Sequence, residues 1–236
     1  MNVPHYPYQG HARWLEHYRE LPEQRRLYAA FLSTLDEYIG KLMAKNDALG
    51  LRDDTIVIFQ SDHGHSHEER AHFGGGSAGP YRGAKFSLFE GGIRVPAIIS
   101  WPGKLPEGKV IDEIGHGCDW LPTIAALCDV ELLNRDIDGK SLAPLLRGAT
   151  EESPHSTLHW TIGKSWAVRQ GPWKLIGNPR DTSKKAPIPK DAKLFLANLD
   201  GDLGEMKNYA KRNPEVVTKL EALHRKWMAG VRGQKK

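Results

Sequence analysis

Thr55-Ile56-Val57-Ile58-Phe59-Gln60-Ser61-Asp62-His63-Gly64 is an apolar run that stops at a polar, turn-forming tetrapeptide. A run that is apolar without alternation reads as a strand buried on both faces, the pattern of a parallel strand inside an α/β sheet. Ligands in open α/β sheets gather beyond the carboxyl ends of such strands, and Asp62 and His63 stand at that end. Downstream, Gly74-Gly75-Gly76 and Tyr81-Arg82-Gly83-Ala84-Lys85 form a glycine-rich segment with fixed positive charge, followed by Phe89-Glu90-Gly91-Gly92-Ile93-Arg94-Val95-Pro96. The chemistry is expected in this stretch.

Working outward, Leu27, Phe31, Leu35, Tyr38, Ile39 and Leu42 recur at three- and four-residue intervals between Pro22 and Gly50, which predicts one amphipathic helix packed on a sheet. A second buried strand fits Pro96 to Trp101, and Asp119 is placed to cap a helix through Leu127. Asp136 to Gly148 reads as a loop with a helical turn at Leu142 to Leu146. The pattern then changes to short β-rich runs, Leu158 to Ile162, Trp166 to Arg169 and Trp173 to Ile176, with a possible return strand at Lys193 to Asn198. From Pro214, Val216, Val217, Leu220, Leu223 and Trp227 line one stripe of a terminal helix. The expected class is α/β: residues 1–150 form part of a doubly wound, mostly parallel sheet, and residues 151–236 a small C-terminal antiparallel sheet plus helix.

Asp62-His63-Gly64, Tyr81-Arg82-Gly83-Ala84-Lys85 and Phe89 to Pro96, in that order, resemble the second half of a type I sulfatase of the alkaline phosphatase superfamily. Val3-Pro4-His5-Tyr6-Pro7-Tyr8 is similar to the family's segment before its long helix. Arg169-Gln170-Gly171-Pro172-Trp173-Lys174-Leu175-Ile176 and the stretch from Leu194 to Tyr209 resemble its C-terminal subdomain. The family's Cys or Ser followed by x-Pro-x-Arg, the source of its formylglycine nucleophile, is absent, as is its earlier Asp pair; neither Cys118 nor Cys128 has that context. The resemblance therefore implies a C-terminal portion, with formylglycine expected in a missing N-terminal part and no turnover by this chain alone.

Asp62 offers a hard anionic oxygen and His63 an imidazole. Taken as residues, the first could equally cap the following turn and the second be a hydrogen-bonded polar group. The resemblance implies that both hold one divalent cation, with Ca²⁺ favoured. It also implies that Lys85 contacts the sulfate group, and that His5, which matches the family's Pro-His-x-Pro histidine, hydrogen-bonds it and protonates the leaving alcohol. His65, His67 and His72, with Glu68 and Glu69, form a histidine-rich loop without a defined zinc spacing, read as substrate-facing or solvated. Arg82 and Arg94 are candidate anion contacts, Arg94 being placed first as a brace on Glu90 or Asp62. Trp160, Trp166 and Trp173 could form a sugar platform but are read first as packing against the terminal helix, His159 is a candidate substrate contact, and Trp101 and Trp120 are assigned to the core.

With 236 residues and 39% hydrophobic content the chain is long enough for a sizeable core. Its apolar runs are far shorter than the roughly 18 residues of a membrane span. Two cysteines are too few for a disulfide framework. The net charge of +4 is modest and its late basic residues are not interleaved with aromatics, so nucleic acid is not an expected partner. The start of the chain shows no signal peptide; for a full-length parent a periplasmic or secreted location is expected. Expected partners are a sulfate ester, such as a sulfated glycan, and the missing N-terminal half. The rival readings are a phosphate or phosphonate ester hydrolase of the same superfamily, with a two-metal site, and a noncatalytic fragment that binds anionic glycans.

Overall fold

The computed structural model describes residues 3–71, 73–133, 135–189 and 191–233. In chain order the elements are α1 (Ala12–His17), α2 (Glu23–Ala48), β1 (Val57–Gln60), α3 (Glu90–Ile93), β2 (Ala97–Ser100), α4 (Trp120–Leu127), α5 (Ala143–Leu146), β3 (Leu158–Ile162), β4 (Ser165–Gln170), β5 (Trp173–Gly177), β6 (Leu194–Asn198) and α6 (Pro214–Gly233). They divide into two compact units, one comprising Met1–Lys45, His63–Pro96 and His159–Lys236, the other Asn46–Asp62 and Ala97–Leu158. No helix among the described residues is long and apolar enough to cross a membrane.

In the first unit, strands β3-β4-β5-β6 form one sheet, with β4, β5 and β6 paired antiparallel. The register sets Ala167 opposite Ile176 and Ile176 opposite Phe195, while Val168 faces Leu175 and Leu175 faces Leu196. Because strand side chains alternate between faces, these two sets build separate cores. One face packs Ala167, Ile176, Phe195, Ala197 and Leu199 against Leu88 and Phe89, with Trp160 alongside. The other packs Val168, Leu175 and Leu196 against Leu220 of α6, with Trp166, Trp173, Val216, Val217 and Leu223. Burying each such large apolar side chain contributes about 1.5–3 kcal/mol, so α6 is held by its stripe and not by helix propensity. Trp166 and Trp173 thus fill the helix interface as expected, and Trp160 serves the opposite core.

The α2 stripe is only half as expected. Ala30, Phe31, Thr34 and Leu35 are buried, but Tyr38 is 52% and Leu42 67% exposed. The covering element is the N-terminal segment: His11 donates to Thr34 Oγ1 at 2.9 Å, Trp14 Nε1 donates to Glu37 at 3.3 Å, and Tyr18 meets Ser33 at 2.9 Å. Periodicity marks which face is apolar, not what covers it.

In the second unit β1 pairs with β2 antiparallel, Val57 opposite Ser100 and Gln60 opposite Ala97. The parallel, fully buried reading of this run is corrected: β1 is half-buried along its length and Ile98 of β2 is 61% exposed. An apolar run encodes the tendency to be covered but not the direction of the neighbouring strand. Trp101 and Trp120 are likewise half-buried, anchored by hydrogen bonds from their indole N–H groups to Asp53 O (2.7 Å) and to Gln60 Oε1. Asp119 makes no side-chain cap on α4. It is fully buried and instead accepts from His116 N (2.7 Å), Lys140 N (2.8 Å) and His155 Nε2 (2.9 Å).

Candidate active site

The turn after β1 is locked to the glycine-rich segment by backbone contacts. Gly64 N donates to Gly92 O at 2.9 Å, Lys85 N to His65 O at 2.8 Å, and Gly91 N to Arg82 O at 2.6 Å. Gly64 lies so close that a Cβ there would strike the Gly91 carbonyl oxygen, which is why this position takes glycine. The lock fixes His63 and Lys85, 22 positions apart in the sequence, on adjoining pieces of backbone.

Asp62 and His63 are consecutive and exposed at the end of β1. His63 Nδ1 lies 2.9 Å from its neighbour's carbonyl, Gly64 O. A carbonyl only accepts, so this contact places the proton on Nδ1 and the basic lone pair on Nε2, the tautomer that suits a metal ligand. The donor set here, one carboxylate and one imidazole, fits part of a divalent-cation shell; calcium alone takes six to eight oxygens. No group of three His, Cys, Asp or Glu side chains among the described residues could hold a metal by itself.

Lys85 is 13% exposed, with its ammonium 3.6 Å from Glu68 Oε2 and 5.1 Å from the Phe86 ring centroid. Glu68 in turn accepts from Arg70 (2.8 Å) and Ser66 Oγ (3.0 Å), and these hydrogen bonds, Arg70's first, hold its carboxyl below the usual range. Lys85 thus has a carboxylate partner already in place. In the histidine-rich loop, the His65 and His67 rings are 4.9 Å apart; burial first, then the charge of His67, pushes His65 down to about 4. His72 lies outside the described residues. His5 is exposed and its Nδ1 lies 2.6 Å from Tyr6 O, so Nε2 is the nitrogen that presents outward chemistry. The same N-terminal segment reaches the histidine loop where Tyr8 OH donates to Ala71 O at 3.4 Å.

A buried polar network ties β5 to α3. Lys174 is fully buried, its Nζ 2.7 Å from both Glu90 Oε1 and Glu205 Oε1, while Arg94 and Arg169 approach Glu90 Oε2 at 3.6 and 3.8 Å. Burial alone would raise the Glu90 carboxyl, but Lys174, Arg169 and Arg94 together bring it below the usual range. Glu205 is raised, because burial outweighs its single cation. Arg82 is also fully buried: Nε donates to Asp181 (2.8 Å), Nη1 to Glu205 O (2.9 Å) and Nη2 to Ala186 O (2.8 Å), over the Phe89 ring. Arg82 is thus a structural cation and not an anion contact, whereas Arg94 braces Glu90 as expected. His159, the candidate substrate contact, is half-buried and stacks on Trp227 at 4.9 Å. The readable signal for the network was Lys174 in the alternation of β5, where an inward cation demands buried carboxylates.

The family described as Sulfatase matches residues 1–130, and the one described as N-sulphoglucosamine sulphohydrolase, C-terminal, matches residues 83–226. The chain belongs to the sulfatase family. It is 41% identical over 153 residues to the steryl-sulfatase of Mus musculus, covering 61% of this chain and 24% of that protein, and 35% identical over 213 residues to the arylsulfatase A of Homo sapiens, covering 81% and 41%. The crystal structure of Ps i-CgsB superposes with a TM-score of 0.82 at 26% identity, covering 96% of this chain and 48% of that one; it has also been solved in complex with k-i-k-neocarrahexaose. A phosphonate monoester hydrolase of Agrobacterium radiobacter, 20% identical with a TM-score of 0.60, shares the fold alone. The chain spans about half the length of the Ps i-CgsB chain and less of the curated relatives. Membership implies, in general, a metal ion and formylglycine.

Proposed function

We propose that these residues form the substrate-gripping part of a sulfuric ester hydrolase. The observation that carries this reading is the match to the Sulfatase family over residues 1–130, a stretch that contains His5, Asp62, His63 and Lys85. Asp62 and His63 would hold a divalent cation, Ca²⁺ by the family's habit. The cation, when bound, would offset negative charge at the reacting sulfate, and a formylglycine, which membership of the family implies in general, would supply the nucleophile.

The chain's own residues do the rest. The Gly64 lock orients His63, whose Nδ1–H contact fixes the ring. Lys85, shielded to 13% exposure, places a desolvated ammonium against sulfate oxygens, where charge developing in the transition state is best stabilised. His5, its Nδ1 committed to Tyr6 O, presents Nε2 as the nitrogen through which a proton would pass to the leaving alcohol. The substrate class proposed is a sulfated glycan, a reading supported by the oligosaccharide complex of the similar Ps i-CgsB.

The test is turnover of 4-nitrophenyl sulfate and of a sulfated oligosaccharide by a sulfatase polypeptide that carries formylglycine and includes this chain. Lys85→Ala is expected to lower kcat/KM by about 10²-fold or more, as loss of an electrostatic donor does. This chain by itself is expected to show no turnover. Unchanged kcat/KM in the Lys85 variant, or turnover by the isolated chain, overturns the proposal.

A further inference from the structure

We infer that Thr182 and Ser183 are positioning residues for Lys85: their hydroxyl groups hold in shape the strained turn from which that lysine projects. The turn runs from Ala84 to Ser87 and is closed by Ser87 N donating to Ala84 O at 3.0 Å. Its third residue, Phe86, has a φ of 69°, in the left-handed region that Gly or Asn usually fills at such a place. Gly83, just before the turn, has a φ of 88°, and a Cβ there would strike Ser87 Oγ and Phe89 Cβ. A bulky residue such as Phe86 keeps a left-handed backbone only where the surroundings over-determine it, and strain of this kind gathers at functional sites.

The over-determination comes from one short stretch far along the chain. Gly83 N donates to Ser183 Oγ at 2.9 Å, Ala84 N donates to Thr182 Oγ1 at 3.1 Å, and Ser87 Oγ donates to Arg180 O at 2.8 Å. Both limbs of the turn are therefore tied to the same four residues. Ser183 Oγ also donates to Asp181 Oδ1 at 2.7 Å, and Asp181 Oδ2 accepts from Arg82 Nε at 2.8 Å, which closes a ring of hydrogen bonds around Arg82 and Gly83. The Lys85 amide donates to His65 O at 2.8 Å, so every amide from Gly83 to Lys85 ends on a partner outside the segment. Gly83 and Ala84 are buried, and without the two hydroxyls their N–H groups would be left unsatisfied. A lysine carries its ammonium on a flexible four-carbon stem, so the backbone it leaves from must be fixed if the charge is to meet a sulfate oxygen in one place.

This positioning role rests on the sulfatase reading of Lys85. A double-mutant cycle on 4-nitrophenyl sulfate turnover, in a formylglycine-carrying sulfatase polypeptide that includes this chain, tests it. Thr182→Val keeps the size of the side chain and removes the acceptor. It is expected to lower kcat/KM by about tenfold, and by less than about twofold once Lys85 is already alanine, because a residue that acts through Lys85 has nothing left to position. Thr182→Ser, which keeps the oxygen, is expected to recover most of the rate. In the full chain by itself, hydrogen exchange is expected to quicken at the Ala84 amide in Thr182→Val and at the Gly83 amide in Ser183→Ala, with the amides of β4 to β6 still protected. Full turnover in Thr182→Val, an equal loss in both Lys85 backgrounds, or the same loss in Thr182→Ser overturns the positioning role while a loss in Lys85→Ala leaves the proposed function standing. Full turnover in Lys85→Ala overturns the proposed function and this role with it. Unaltered exchange at both amides, or protection lost throughout β4 to β6, also overturns the role, the latter by assigning the hydroxyls to the fold at large.

Discussion

Lys174 of β5 and Glu90 of α3, 84 residues apart in sequence, meet at 2.7 Å with both side chains almost completely buried. This contact joins two of the stretches through which the chain resembles the family, Phe89 to Pro96 and Arg169 to Ile176. Arg82, stacked on Phe89 and tied to Asp181, is a second buried cation paired with a carboxylate from far along the chain. The C-terminal sheet is consequently part of what holds the Lys85 segment in shape, and changes in β5 are expected to be felt there.

Removing one member of such a cluster leaves the others charged and buried. Lys174→Met is expected to destabilise the protein by about 3–5 kcal/mol, because Glu90 and Glu205 lose their shared cation. Glu205→Gln is expected to cost much less, since burial already disfavours the ionised form of that carboxyl. Urea unfolding of the two variants checks the order; equal losses would show that Glu205 carries its share of the charge balance.

The stability of the chain should depend on pH through its buried histidines. His159, pushed down to about 4 by burial and then by His224, binds its proton less readily folded than unfolded. Such a group adds stability that is complete above the ordinary histidine value of 6.5 and is lost as pH falls from there through about 4. His65, also at about 4, acts in the same window and sense. Glu90, lowered from 4.5, adds stability that is complete above that value and is lost only further down, as acid protonates it. Melting temperatures between pH 7 and 4 are expected to fall in the parent and to fall less steeply in His159→Phe, which keeps the stack on Trp227 without a titrating nitrogen.

Periodicity carried much of this fold. The stripe Val216, Val217, Leu220 and Leu223 located α6, and the β-rich runs located β3 to β6 within a residue or so, because each of these elements buries one well-defined face. The pairing sense of β1 and β2 was hidden, since Ile56 to Phe59 would look alike beside either kind of neighbour. The cluster of Lys174, Glu90 and Glu205 was hidden for another reason: a buried charge is recognised only when its partner is known, and the partners come from distant parts of the chain. Asp62, His63, Lys85 and His5 were read as candidate residues through the resemblance, whereas Glu68 at 3.6 Å from Lys85 was readable only as part of a polar loop.

The Gly64 lock gives a sharp test of local geometry. Gly64→Ala would drive a methyl group into the Gly91 carbonyl and break the hydrogen bond from Gly64 N to Gly92 O. Overpacking of this kind typically costs about 1–3 kcal/mol. Hydrogen exchange is expected to rise at the Gly64 and Lys85 amides while the amides of β4 to β6 stay protected. Unaltered exchange at both amides would mean that the turn after β1 is held by other contacts.

Glu68 and Lys85 make the last prediction, and its sign is instructive. At 3.6 Å and partly exposed, Glu68 offsets the ammonium that the proposed function assigns to sulfate, so the resting chain should bind inorganic sulfate weakly. Glu68→Gln keeps the hydrogen bond to Ser66 possible but removes the competing charge. Sulfate affinity, read from chemical shifts of the Lys85 side chain, is expected to rise a few-fold at low salt and to return towards the parent value near 1 M salt, where screening acts within about 3 Å. Lys85→Gln should abolish the effect of the Glu68 change. A Glu68→Gln chain with unaltered affinity at low salt would mean that the carboxylate swings away before the anion arrives, leaving Lys85 already available in the resting state.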